Sequence, residues 1–362
     1  NNKNCITKSY QLIIDWNANK GSCSKAFWPP YNASERAFCI SRWLLLSKEH
    51  LDRDQISQIL LIVFQDIDFV SRNLEWNLDG NHLLKNLSII WWGVEIFDKK
   101  ITTKWEGLLN NNLKKVVEEQ ILKDGMHYEK SYVYHQIALI DFLDIYSLVQ
   151  VKSSSNSSSN NILKNLIKKM LLSMEYMTHP DGRGCLFNDS PSNLSSNPVS
   201  VIAHARVNMS DNTIEDLNHL RESGYIQLKN SHDFYIITDV GNLGPDNQLG
   251  HAHSDMLHFE MSYKNYRVLV EGGTSNYYDK KRRPYERSTE AHNSVTINKK
   301  SQSTNWSNFR VSHRGHCKVV DYRWSEGMTM LCAEHDGFES KFGIIHRRSF
   351  EFKKGVFSVD DI

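Results

Sequence analysis

Gly224-Tyr-Ile-Gln-Leu228 and Asp233-Phe-Tyr-Ile-Ile-Thr238 are short runs of β-branched and aromatic residues divided by polar turn formers. Such runs read as antiparallel strands. Leu257-His-Phe-Glu-Met-Ser262, Arg267-Val-Leu-Val270 and Ser294-Val-Thr-Ile297 continue the pattern, which sets in after about residue 197. Upstream the period is helical, with Ile56, Leu60, Phe64 and Ile67, then Leu83, Leu87, Ile90 and Val94, each on one face. Further helices are predicted over Leu113–Leu122, Tyr132–Val149 and Ile162–Met177, the last two parted by a Ser- and Asn-rich surface loop from Lys152 to Asn161. Helices followed by strands, without βαβ alternation, make an α+β chain. Its expected domains are a helical one over residues 1–196 and an antiparallel sheet domain over 197–362. The chain stops at Val359-Asp-Asp-Ile362 straight after a strand-like run, so the sheet domain is expected to be incomplete.

Composition narrows the function classes. Lys plus Arg number 43 against 42 Asp plus Glu, so no net field marks the chain for nucleic acid or an anionic membrane. Any acidic ligand must be held by a local cluster. The longest apolar run, Ile59 to Phe64, is broken by Gln65 and Asp66, far short of a membrane span. No signal-peptide pattern is visible. The cysteines Cys5, Cys23, Cys39, Cys185, Cys317 and Cys332 form no Cys-x-x-Cys pair, which excludes zinc of the finger type.

The densest polar cluster is Gly250-His-Ala-His-Ser-Asp255. On a strand, His-x-His places both imidazoles on one face. With Glu271 downstream and His292 in Arg287-Ser-Thr-Glu-Ala-His-Asn-Ser-Val295, His253 completes a two-His, one-carboxylate set of the kind that binds zinc. Among 16 histidines, clustering without function is the plain alternative. The helical half has polar islands at Asp79-Gly-Asn-His82, Asp124-Gly-Met-His-Tyr-Glu129 with Ser131-Tyr-Val-Tyr-His135, and Asp181-Gly-Arg-Gly-Cys-Leu-Phe-Asn-Asp-Ser190. They read either as site loops or as helix caps, with Asp79 read as a cap.

These motifs, with Trp28-Pro-Pro-Tyr-Asn-Ala-Ser-Glu-Arg36 at the start of the helical half, resemble in kind and order those of heparinase II/III-like polysaccharide lyases, a family that includes alginate lyases. The resemblance runs nearly end to end. It implies an (α/α) toroid followed by an antiparallel β-sandwich, and a periplasmic or secreted bacterial setting. It also implies roles. Asn81 and His82 would meet the substrate carboxylate, Tyr134 would be the catalytic acid and often base, and His251 the catalytic histidine. His253, Glu271 and His292 would hold a structural zinc or other divalent metal, with no organic cofactor. His135, Glu129, Asn188, Tyr278 and Arg287 would lie along the substrate. The pattern departs from the family at Glu271, where Asp is usual, and at Tyr132, where Pro is frequent.

These residue types suit β-elimination on a uronic-acid polymer of heparan sulfate or alginate type. The C5 proton is weakly acidic until its carboxylate is neutralised, which Asn81, His82 and His251 can do by donating hydrogen bonds. A base then removes the proton while an acid, here the Tyr134 phenol, protonates the departing oxygen. No paired carboxylates of glycosidase type stand out. Arg36, Arg183, Arg267 and Arg287 suit sulfate or carboxylate ligands and structural ion pairs equally. The rival readings are a non-cleaving polysaccharide-binding or surface-polymer assembly protein, and a zinc hydrolase built on His253, Glu271 and His292.

Overall fold

The structure is a computed structural model describing residues 2–22, 28–152, 158–193, 196–209, 220–231, 233–325 and 327–362. It divides into two compact units. One holds the chain up to Glu118 with the second half of helix α6 from Asp144, the other Glu119–Leu143 and the later chain to Ile362.

The first unit is helical: α1 (Asn2–Asn19), α2 (Pro30–Ser47), α3 (Arg53–Arg72), α4 (Gly80–Ile96), most of α5 (Lys99–Gln120) and part of α6 (Tyr132–Lys152). Helix α3 starts at a capping box, Asp52 accepting from the Gln55 amide at 2.8 Å while Gln55 Oε1 accepts from the Asp52 amide at 3.0 Å. Its apolar stripe, Ile59, Ile62, Val63, Ile67 and Val70, is buried. Asp66 joins that stripe because Arg36 of α2 clamps it in a bidentate pair at 2.7 and 2.8 Å. Arg36 is therefore structural. Asp79 sits at the N-cap of α4 but makes no side-chain cap bond. Helices α1, α2 and the first half of α5 fall inside the expected helical domain but not among the individual helices read from the sequence.

The second unit adds α7 (Ser158–Tyr176), α8 (Pro198–Met209) and the strands. Helix α7 includes residues 158–161 of the expected loop, and 153–157 lie outside the described residues. Helix α8 occupies sequence expected to begin the sheet. Pro198 opens it, and the Asn197 side chain accepts from the Val199 amide at 2.9 Å, a start signal that outweighs the Val-rich composition. Helices α5 and α7 each end in the same device. Asp124-Gly125 and Asp181-Gly182 turn the chain back on itself, each Asp accepting from the amide two residues on, at 3.1 and 3.0 Å, and each Gly in left-handed backbone.

Strands β1 (Tyr225–Asn230), β2 (Phe234–Asp239), β3 (Phe259–Tyr263) and β4 (Tyr266–Leu269) form one antiparallel sheet in sequence order. After a short helix α9 (Arg282–Glu286), β5 (Thr304–Ser307) and β6 (Arg310–His313) form a hairpin. The second sheet, ordered β10-β9-β8-β7, comprises β7 (Cys317–Ser325), β8 (Met328–His335), β9 (His346–Lys353) and β10 (Val356–Asp361), with helix α10 (Glu339–Phe342) between β8 and β9. Alternate residues make a shared core: Ile226, Leu228, Ile236 and Phe259 from one sheet meet Leu331, Ala333, Phe350 and Phe352 from the other. Each large side chain buried there contributes roughly 1.5–3 kcal/mol. The result is an antiparallel β-sandwich. Two strand expectations are corrected: Ser294–Ile297 forms only an isolated bridge from Ile297 to Lys300, and His251 and His253 lie on the loop before β3.

Candidate active site

In the second unit, four chain segments meet around His251. The Asp124-Gly125 turn delivers Glu129 and then Tyr134 on the first turn of α6. The Asp181-Gly182 turn delivers Asp189. Ser131 ties the two together, donating to the Asp189 carbonyl at 2.8 Å, while the Tyr132 amide donates to Ser190 Oγ at 3.0 Å. The loop after β4 leaves through Gly273, whose φ of 57° is left-handed and where a Cβ would overlap the Ser190 carbonyl oxygen, so only glycine fits. That loop brings in Tyr277, and α9 brings in Arg283.

His251 packs against Tyr134 with ring centroids 4.2 Å apart and planes tilted by 43°. Its Nδ1 bonds Asp189 at 2.8 Å and its Nε2 lies 3.9 Å from Glu129. Asp189 is wholly buried, and its two oxygens also serve His253 Nε2 at 2.8 Å, Thr274 Oγ1 at 2.6 Å and the bidentate guanidinium of Arg283. Arg283 in turn lies 5.1 Å over the Tyr277 ring. The Tyr277 and Tyr134 hydroxyls are 2.6 Å apart. Both phenols and the imidazole keep an accessible edge.

Electrostatics assigns protonation states. Burial, with Tyr277 and Asp189 adding to it, pushes the Tyr134 phenol well above the ordinary 10. A raised pKa keeps the Tyr134 phenol protonated at neutral pH, which suits the expected acid; service as a base would need a lowered pKa, which the nearby Asp189 and Glu129 carboxylates oppose. Burial opposes the imidazolium of His251, but Glu129 and Asp189 outweigh it and hold its pKa above 6.5. Burial also works against the Asp189 carboxylate, yet hydrogen bonds from His251 and His253 keep it ionised far below the usual range.

Other expected residues sit differently. His135 is fully buried, Nδ1 accepting from the His127 amide at 3.2 Å and Nε2 donating to the Met170 carbonyl at 2.8 Å, so it has no nitrogen for a ligand. Asn188 is buried and holds the His253 amide and the Lys130 carbonyl. Arg287 is buried and donates to the Leu249, Ala252 and Ser307 carbonyls. All three build the site without facing it. Tyr278 is 87% exposed, and its neighbour Tyr277 enters the cluster instead. Sequence reasoning gave no role to Asp189, although it lies inside the quoted Asp181–Ser190 motif, and missed Arg283 and Tyr277, which lie near quoted motifs.

Asn81 and His82 belong to the first unit, where they open α4. Asn81 is 6% exposed. The His82 ring stands 4.6 Å from Tyr31, and its Nδ1 meets Glu75 at 3.1 Å. Glu75 also accepts from Asn86 at 3.1 Å. This fixes the imidazole, whose side chain is 35% exposed.

The ligand atoms of His253, Glu271 and His292 lie within 4.8 Å of one another in a buried group. Nδ1 of His253 and Nε2 of His292 are buried without a hydrogen-bond partner, an arrangement that costs free energy unless a ligand uses those lone pairs. The residues thus fit a divalent metal. Glu271 is further braced by His258 at 2.9 Å and the Gly273 amide at 3.0 Å, the longer side chain still reaching the histidines.

Two family models match, Heparinase II/III N-terminus over residues 7–213 and Heparinase II/III-like, C-terminal over 212–362. No curated protein matches. Among solved structures, a heparinase III aligns with TM-score 0.74 at 18% identity, covering 98% of this chain and 59% of that one. A heparan sulfate lyase from Pedobacter heparinus aligns with TM-score 0.64 at 17% identity, covering 98% and 58%. The chain thus spans under two thirds of these relatives' length.

Proposed function

The chain belongs to the heparinase II/III-like family, and from that premise we propose that it is a polysaccharide lyase cleaving a uronic-acid polymer by β-elimination. The supporting observation is the Tyr134–His251 pair, a neutral phenol packed at a tilt against an imidazole oriented by a buried carboxylate. With Nδ1–H donated to Asp189, neutral His251 presents Nε2 as the base for the C5 proton. Tyr134 gives its proton to the departing glycosidic oxygen and recovers one through Tyr277. Within the helical unit, His82, held by Glu75, and Asn81 are hydrogen-bonding groups of a kind that suits binding an acidic sugar.

His253, Glu271 and His292 would hold the divalent metal, which would supply structural cross-linking. Their link to the chemistry is Asp189, which binds His253 and His251 with different oxygens. Arg283 balances that carboxylate's charge. The polymer is proposed to be heparan sulfate-like or alginate-like, and the setting periplasmic or secreted.

Incubation with heparan sulfate, alginate and other uronate polymers, followed by ultraviolet absorbance of unsaturated ends, tests the reading. A rise that is lost in Tyr134→Phe supports it. Tight polymer binding without any absorbance change, in wild type and variant alike, would favour the non-cleaving alternative.

A further inference from the structure

A second buried cluster has no part in the chemistry above. His179, Cys185 and Glu260 come together beneath the first sheet, their side chains 0–2% exposed and their potential ligand atoms within 4.8 Å of one another. His179 and Cys185 flank the Asp181-Gly182 turn, and Glu260 projects from β3. We propose that these three residues form a second metal site, selective for zinc or another borderline-soft divalent ion, and distinct from the nitrogen and oxygen set of His253, Glu271 and His292.

Three observations carry this. First, the Nε2 atom of His179 is buried without a hydrogen-bond partner; it lies 3.3 Å from Glu260 but lacks hydrogen-bond geometry. Nδ1 of the same ring is 2.7 Å from Ser262 Oγ, and with its proton donated there, Nε2 offers a lone pair to the cluster. Second, each ligand has an outer partner that fixes it, as metal ligands do. Ser262 holds His179, the Leu186 amide (2.7 Å) and Arg267 (2.7 Å) hold Glu260, and the Tyr235 hydroxyl lies 3.6 Å from Cys185 Sγ. Third, the donor set is one sulfur, one nitrogen and one oxygen, which suits zinc and disfavours magnesium or calcium. Arg267 shares Glu260 and also pairs with Asp181, so its charge is already compensated when a cation arrives.

Binding replaces the Cys185 S–H bond by a sulfur–metal bond and releases the thiol proton to solvent. No redox change is involved. The inference is independent of the lyase reading, because every ligand and partner is named without reference to a substrate.

Cobalt(II) titration of the metal-stripped full chain reads it directly. Thiolate ligation gives a near-ultraviolet sulfur-to-cobalt charge-transfer band that the His253, Glu271 and His292 set cannot produce. The band should appear in wild type, survive His292→Ala, and survive Cys5→Ala with Cys39→Ala at the exposed thiols. It should vanish in Cys185→Ala, with one metal equivalent lost. No band in wild type, or a band that persists in Cys185→Ala, overturns the site. Should Cys185→Ala fail to fold, X-ray absorption of the zinc-loaded wild type still decides: a sulfur scatterer at about 2.3 Å is expected, and a shell of only nitrogen and oxygen refutes the proposal.

Discussion

His82 and His251 are each held by a carboxylate, and they are held at different depths. In the helical unit Glu75 grips His82 and also accepts from the neutral amide of Asn86, and the His82 side chain is 35% exposed. In the sheet unit Asp189 grips His251, is itself fully buried, and is shared with His253, Thr274 and Arg283, leaving the His251 side chain 15% exposed. A shallow imidazole keeps water nearby and suits ligand binding. A deep one, in a low local dielectric among fixed charges, has its proton affinity set by the protein, which proton transfer requires.

The sharpest test of that contrast is at the phenol beside the deep histidine. Tyr134→Phe should lower kcat roughly 10²–10⁴-fold with substrate binding retained, whereas His82→Ala should act mainly on KM; steady-state kinetics separates the two. Next comes stability. Asp189→Ala leaves the Arg283 guanidinium buried without its carboxylate and should cost about 3–5 kcal/mol in urea unfolding, against about 1–3 kcal/mol for Glu75→Ala, which strands the neutral Asn86 amide and the partly exposed His82 rather than a buried guanidinium. Equal costs would erase the distinction in depth.

The pH profile comes third. With neutral His251 as the proposed base and its pKa raised, kcat/KM should climb with pH through a value above 6.5. Glu129→Gln removes a charge that favours the imidazolium, so the climb should move to lower pH; a shift upward would mean that His251 works in its charged form. The smallest effect belongs to the adjacent tyrosines. Tyr277→Phe should reduce kcat less than Tyr134→Phe, and Tyr278→Phe should change neither turnover nor, beyond about 0.5 kcal/mol, stability.

Much of this was legible in the residues. The helical period of α3 and α4 and the apolar alternation of β1 and β2 are local signals, and both survive folding. His253, Glu271 and His292 were grouped by residue type, and folding brings their ligand atoms within 4.8 Å. Loops were less readable because no period governs them. Tyr277 and Tyr278 are equivalent as text, and only the backbone after Gly273 selects the first. Asp189 was overlooked beside Asn188 because its value arises from burial and from Arg283, almost a hundred residues away. His135 and Arg287 were misread for the opposite reason: polar side chains were assigned to a ligand when buried backbone groups consume them.

The glycine at 273 bears on how this protein can be re-engineered. Because the backbone there rests directly on the Ser190 carbonyl, the segment carrying Tyr277 is keyed to the segment carrying Asp189. A directed-evolution library seeking altered polymer preference should therefore leave codon 273 untouched, keep Asp279, whose side chain accepts from the Lys281 and Arg282 amides, and diversify exposed positions 278, 280 and 281, where new side chains can be sampled without unseating His251.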